Sequence, residues 1–167
     1  RLGGPLFDPK LRLFDPAGRE LVAEDDTPMM VQDAAFVYEV KDAGRYTIAM
    51  SEAAFGGAGG YYYRLHVGKF PRPMAVTPMG GAPGSEVNVT WLGDPALTVQ
   101  PVAAPQPSVM STVVFASNES GISPTPVPFR ASTLPETLEA EPNNDGATAT
   151  IGQAPGAFDG VINQQGD

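Results

Sequence analysis

Apolar and polar residues alternate with a period of two in short runs along most of the chain. Leu11–Phe14 ("LRLF") alternates apolar with basic residues, and Glu20–Ala23 ("ELVA") follows the turn signal "DPAG" at Asp15–Gly18. Ala35–Val40 ("AFVYEV") sets Phe36, Tyr38 and Val40 on one face, and Arg45–Met50 ("RYTIAM") does the same with Tyr46, Ile48 and Met50. A glycine-rich loop, Phe55–Gly60, leads into Tyr61–Val67 ("YYYRLHV"). Such alternation predicts strands with one buried and one wet face, joined by turns. A second set follows at Glu86–Leu92, Leu97–Val102 and Val109–Ala116. Nowhere is there a long stretch with the helical i, i+3, i+4, i+7 spacing.

Proline punctuates this pattern. Lys69–Gly84 and Gly121–Phe129 are proline-rich, and proline cannot donate to a sheet ladder, so both read as linker or edge segments. The reading is all-β: a jelly-roll-like β-sandwich followed by a smaller immunoglobulin-like β-sandwich. The expected organisation is 1–72 for the first sandwich, 73–130 for the second, a linker at 131–138, and a further segment at 139–167. The second set is short for an independent core, so it is expected to lean on its neighbour.

Composition sharpens this in two ways. Glycine and proline number 19 and 18 among 167 residues, which suits short strands and many turns. The formal net charge is -9, which argues against nucleic acid, whose binding rests on Lys and Arg neutralising phosphates. The same charge disfavours an anionic membrane surface and attracts cations. There is no cysteine, so disulfides and thiol chemistry are excluded, and no apolar run approaches the roughly 20 residues of a membrane span.

Candidate chemistry is concentrated near the end of the sequence. "EAEPNND" packs Glu139, Glu141, Asn143, Asn144 and Asp145 into one short stretch. Alternate residues of an extended segment point the same way, so Glu139, Glu141 and Asn143 could converge on a hard cation such as Ca²⁺, which takes six to eight oxygen ligands. The competing reading is a solvated acidic linker with asparagine turns. Catalysis finds no motif: His66 is the single histidine and sits in a strand pattern, and Ser85 lies outside any G-x-S-x-G elbow. Phe55–Gly60 lacks the Lys-Ser/Thr ending of a phosphate loop. Tyr61–Tyr63 offers aromatic surface for a sugar or peptide, although a structural role is favoured.

These segments also resemble a known family. "DPKLRLFDPAGRELVAEDDT", "FVYEVKDAGRYTIAM" and "YYYRLHVGKFPRP" look like the later part of a bacterial pre-peptidase C-terminal domain. The matching pieces are Asp8–Leu13, Asp15–Gly18, Asp25–Asp26, Ala43–Ile48 and Tyr63–Val67. The closing stretch resembles the opening of the same family through Glu141–Asn144, Gly160–Ile162 and Gly166–Asp167. Between them, "PMAVTPMGGAPGSEVNVTWLG" resembles the start of an immunoglobulin-like TIG domain. The chain is thus expected to hold the back of one module, a spacer and the front of the next.

The family implies a non-catalytic jelly-roll-like sandwich in secreted or surface proteins. Some relatives bind collagen or polysaccharide, and some bind Ca²⁺. The resemblance carries metal ligation to Glu139, Glu141, Asn143 and Asp167; Asn144 and Asp145 are added by the spacing. The expected role is a non-enzymatic extracytoplasmic module, extracellular, cell-surface or periplasmic, acting as spacer, adhesion unit or surface-assembly block. Its partners would be an extracellular polymer or neighbouring subunits. The alternative is a substrate-binding or regulatory accessory domain of a secreted peptidase.

Overall fold

The computed structural model describes residues 7–28, 30 and 32–163. No helix occurs among them, and the chain is all-β with several small, mostly antiparallel sheets. It divides into two compact units, one ending at His66 and the other beginning at Val67.

The first unit is built on three strands: β1 (Pro9–Phe14), β2 (Glu20–Glu24) and β3 (Thr47–Glu52), in the order β2-β1-β3 and antiparallel throughout. Alternation in β1 turns Leu11 and Leu13 into the unit, where both are buried. Its other face carries Arg12, whose guanidinium lies 5.6 Å from the Phe14 ring centre. The β1–β2 turn is the one the sequence announces. Asp15 Oδ1 accepts from the amides of Ala17 (2.8 Å) and Arg19 (2.9 Å), Oδ2 accepts from Arg19 Nε (2.7 Å), and Gly18 adopts φ 82°.

Two expected strands are not formed. Ala35–Val40 has no ladder, and Val37 is 81% exposed. At its first residue the buried Thr27 hydroxyl donates to the Ala35 carbonyl (3.0 Å) and accepts from the Ala35 amide (2.7 Å), so both main-chain groups of Ala35 go to one side chain. Tyr61–Val67 is likewise outside any strand. Tyr61 packs on Phe7 with ring centres 5.7 Å apart, whereas Tyr62 and Tyr63 are 60% and 65% exposed. His66 therefore sits on an exposed irregular segment and not inside a strand. Period-two alternation marks a segment able to join a sheet, but joining also requires its amides to be free.

The second unit is a sandwich. One sheet has the order β4-β6-β7, from β4 (Ala75–Thr77), β6 (Glu86–Leu92) and β7 (Gln100–Ala103). The other has the order β5-β11-β8, from β5 (Gly80–Gly81), β8 (Ser111–Val114) and β11 (Val127–Ala131). Val76, Val89, Trp91 and Val102 from the first sheet meet Val114, Val127 and Phe129 from the second, with Ala104 and Ala116 beside them. The chain crosses between layers after β4, and β5 then pairs parallel to β11. That pairing needs glycine, because a Cβ on Gly80 would lie 2.8 Å from the Arg130 carbonyl oxygen. A small hairpin, β9 (Ser117–Asn118) with β10 (Gly121–Ile122), extends from this sandwich.

The proline-rich segments are more structured than proline content suggests. Pro71 and Pro73 are fully buried, and the Arg72 amide between them donates to Asp94 Oδ2 at 2.8 Å. Val127–Phe129, from the second proline-rich stretch, supplies core residues of β11; Pro128 takes the exposed position between two buried ones. The expected linker at 131–138 contains β12 (Glu136–Leu138), which pairs parallel with β13 (Ala157–Asp159).

Two outcomes follow. Phe129→Ala should lower the stability of the second unit by about 3–5 kcal/mol, the range for truncating a buried aromatic, as read by urea unfolding followed through Trp91 fluorescence. Phe55 lies at φ 61° and is 93% exposed, so its left-handed backbone is not offset by burial. Phe55→Gly should therefore leave the first unit unchanged or more stable, by up to about 1 kcal/mol. A clear loss on thermal melting would show that the ring is held by contacts.

Candidate functional site

The acidic segment that begins at Glu139 is drawn together with the segment after β13. Parallel pairing fixes the frame: the Ala157 amide donates to the Pro135 carbonyl and the Glu139 amide to the Asp159 carbonyl, each at 2.9 Å. Glu139 Oε1 accepts from the Val161 amide, and Oε2 accepts from Asn143 Nδ2 at 3.1 Å. Glu141 Oε2 accepts from the Asn143 amide (3.0 Å) and Oε1 from Asn163 Nδ2 (2.7 Å). Gly160 makes room for this bracket, since a Cβ there would fall 2.4 Å from Glu139 Oε2. The Ala140 amide is held by Thr150 Oγ1 at 2.9 Å.

Three of the sequence candidates therefore come together: Glu139, Glu141 and Asn143. Asn144 is exposed. Asp145 faces its own turn, where Oδ1 accepts from the amides of Ala147 (2.8 Å) and Thr148 (3.0 Å). These amides, the Ala147 one first, hold its carboxyl below the usual 3.8. Asp167 lies outside the described residues. Among the described residues no group of three or more His, Asp or Glu side chains is placed to hold a metal ion. The carboxylate oxygens of Glu139 and Glu141 instead accept from N–H donors of their own chain.

The structure adds a pair that sequence reading passes over. In the β12–β13 register Glu136 stands opposite Ala157 and Leu138 opposite Asp159, so Glu136 and Asp159 are diagonal neighbours on one face. Burial first, then a hydrogen bond to Asp159 and its charge, push the Glu136 carboxyl above its usual 4.5. Asp159 also reaches the surface of the sandwich, where its Oδ1 accepts from the amide of the exposed Met79 at 2.8 Å, just before β5. Thr137, Glu139, Thr150, Phe158, Asp159 and Gly160 line a shallow depression there. No spacing in the sequence links Glu136 to Asp159; only the parallel register does.

The two displaced carboxyls set opposite limits on pH. Glu136 binds its proton more tightly in the folded chain, so its contribution is complete below 4.5 and fades as pH rises through the raised value. Asp145 contributes above 3.8 and loses its contribution as pH falls through its lowered value. Residues 139–163 should thus be best protected in the mildly acidic interval between them. Hydrogen exchange, corrected for the intrinsic rate, should show protection declining toward neutral pH, and Glu136→Gln should remove that decline. Compared with protein-family models, with curated proteins and with solved structures, the chain finds no match.

Proposed function

We propose that this chain is a non-enzymatic, extracytoplasmic β module of a bacterial surface or secreted protein, serving to space and display contacts. The observation that carries this reading is the succession of two separate compact β units. The first presents aromatic rings at its surface: Phe55 on its strained loop, followed by the exposed Tyr62 and Tyr63. Flat aromatic surfaces of this kind suit the sugar rings of a polysaccharide or the imino-acid rings of a collagen-like chain. The resemblance to the pre-peptidase C-terminal family points the same way, toward a jelly-roll-like arrangement for the first module and an immunoglobulin-like one for the second.

Calcium belongs to this reading in a restricted form. Glu139, Glu141 and Asn143 are adjacent, but an ion would have to compete with the N–H groups, two of them from Asn143, that now occupy the Glu139 and Glu141 oxygens. A melting temperature raised by Ca²⁺ and restored by chelator would support binding, and an unchanged one would remove calcium from the proposal.

The role is tested by co-sedimentation with insoluble collagen, chitin, cellulose and peptidoglycan. Retention by one polymer that is lost on replacing Phe55, Tyr62 and Tyr63 together by Ala, with the circular dichroism spectrum unchanged, would support display. Retention on none would leave the spacer role. Hydrolysis of a peptide or ester substrate that disappears in His66→Ala would overturn the non-enzymatic reading.

A further inference from the structure

The antiparallel order of the first unit brings one end of all three strands together. Pro9 at the start of β1 stands opposite Glu52 at the end of β3, and Leu11 stands opposite Glu24 at the end of β2. Carboxylates therefore collect at this end: Asp8 just before β1, Glu24, Asp25 and Asp26 at the close of β2, and Glu52 on β3. Among the described residues Lys10 faces them, its Nζ 3.9 Å from Asp25 Oδ2. The other sheet cation, Arg12, is drawn to Glu20, 4.0 Å away.

Asp8 is left without such compensation. Its Oδ1 is shielded from water and has no hydrogen-bond partner among the described residues. A shielded carboxylate oxygen without a donor is costly, and three negative neighbours add to the cost. Protonation relieves both effects, because the oxygen then carries an O–H that can donate to a neighbouring carboxylate.

The same residues root a loop. The Ala53 amide donates to the Asp8 carbonyl at 2.7 Å, Glu52 Oε2 accepts from the Gly56 amide at 2.5 Å, and the Phe55 amide donates to the Glu52 carbonyl at 3.1 Å. These contacts hold the turn that carries the exposed Phe55 ring.

We propose that this end of the sheet is an acid-operated clasp on the Phe55 loop: one proton taken from solvent onto Asp8, among Asp25, Asp26 and Glu52, fastens the loop root, and its loss slackens it. The direction is set by burial first and then by Asp26, Asp25 and Glu52, all of which hold the Asp8 carboxyl above its usual 3.8. The stabilisation is complete below 3.8 and is lost as pH rises through the raised value, so the loop is firmest in acid and loosest at neutral pH. This goes beyond the display role and holds whatever the loop contacts.

The test is a carbon-13 titration of the Asp8 carboxyl in the whole chain, together with hydrogen exchange of residues 53–56 corrected for the intrinsic rate. The expected midpoint lies above the ordinary aspartate value of about 3.9. Protection of the loop should fall several-fold as pH rises through the Asp8 midpoint read in that titration. Asp8→Asn, which keeps the main-chain contact to Ala53, should hold the loop protected at neutral pH and abolish the dependence. An Asp8 midpoint at or below the ordinary value would overturn the proposal, as would an unchanged pH profile in Asp8→Asn. Should the variant fail to fold, the wild-type titration decides alone.

Discussion

Short strands leave many backbone amides without a ladder partner, and carboxylates of this chain satisfy several of them. Asp15 holds Ala17 and Arg19, Glu52 holds Gly56, Asp94 holds Arg72, and Asp145 holds Ala147 and Thr148. Glu139, Glu141 and Asp159 take the amides of Val161, Asn143 and Met79. At the part-buried bonds of Asp15, Asp94 and Glu139 an unpaired amide would be costly, and an ionised acceptor makes a stronger bond than a neutral one. The charge of -9 is thus partly structural. It is the acceptor set of a chain whose prolines and turns interrupt its sheets.

In the second unit β4, β6 and β7 form one layer and β5, β8 and β11 the other, and Phe129 is wholly enclosed between them. The parallel β5–β11 contact depends on the small size of Gly80, and the Met79 amide beside it is held by Asp159. Core, strand crossing and the β12–β13 pair are therefore linked at one place. The first unit has less to close on, with one three-stranded sheet among its described residues, so Val37, Phe55, Tyr62 and Tyr63 remain at the surface.

Where carboxyls lack donors, they become sensitive to protons. Glu136 beside Asp159 and Asp8 beside Asp25, Asp26 and Glu52 are both held above their usual values, whereas Asp15 and Asp145, surrounded by amides, are held below theirs. Burial comes first in raising Glu136 and Asp8, with neighbouring carboxylates adding to it, whereas backbone N–H donors come first in lowering Asp15 and Asp145. Both raised carboxyls lie where strands end, at positions that join an irregular segment to a sheet.

Much of the β architecture was legible in the sequence. Alternation marked β1, β2 and β6 nearly residue for residue, and "DPAG" announced a turn that Asp15 then builds, because both signals act over a few neighbouring residues. The same local rule misplaced Ala35–Val40, since no nearby residue reveals that Thr27 claims Ala35. It also undervalued Val127–Phe129, because proline content hides a strand whose buried residues alternate with Pro128. At the acidic segment the spacing of Glu139, Glu141 and Asn143 placed them together, and the folded chain determined that Asn143 donates to both carboxylates and that Glu139 also takes the Val161 amide. The Glu136–Asp159 and Asp8 groupings were invisible to spacing. Sequence by itself determined what has a period or a fixed local geometry; tertiary structure decided which distant amide or carboxyl each acidic side chain meets, because that depends on strand register across gaps no local pattern spans.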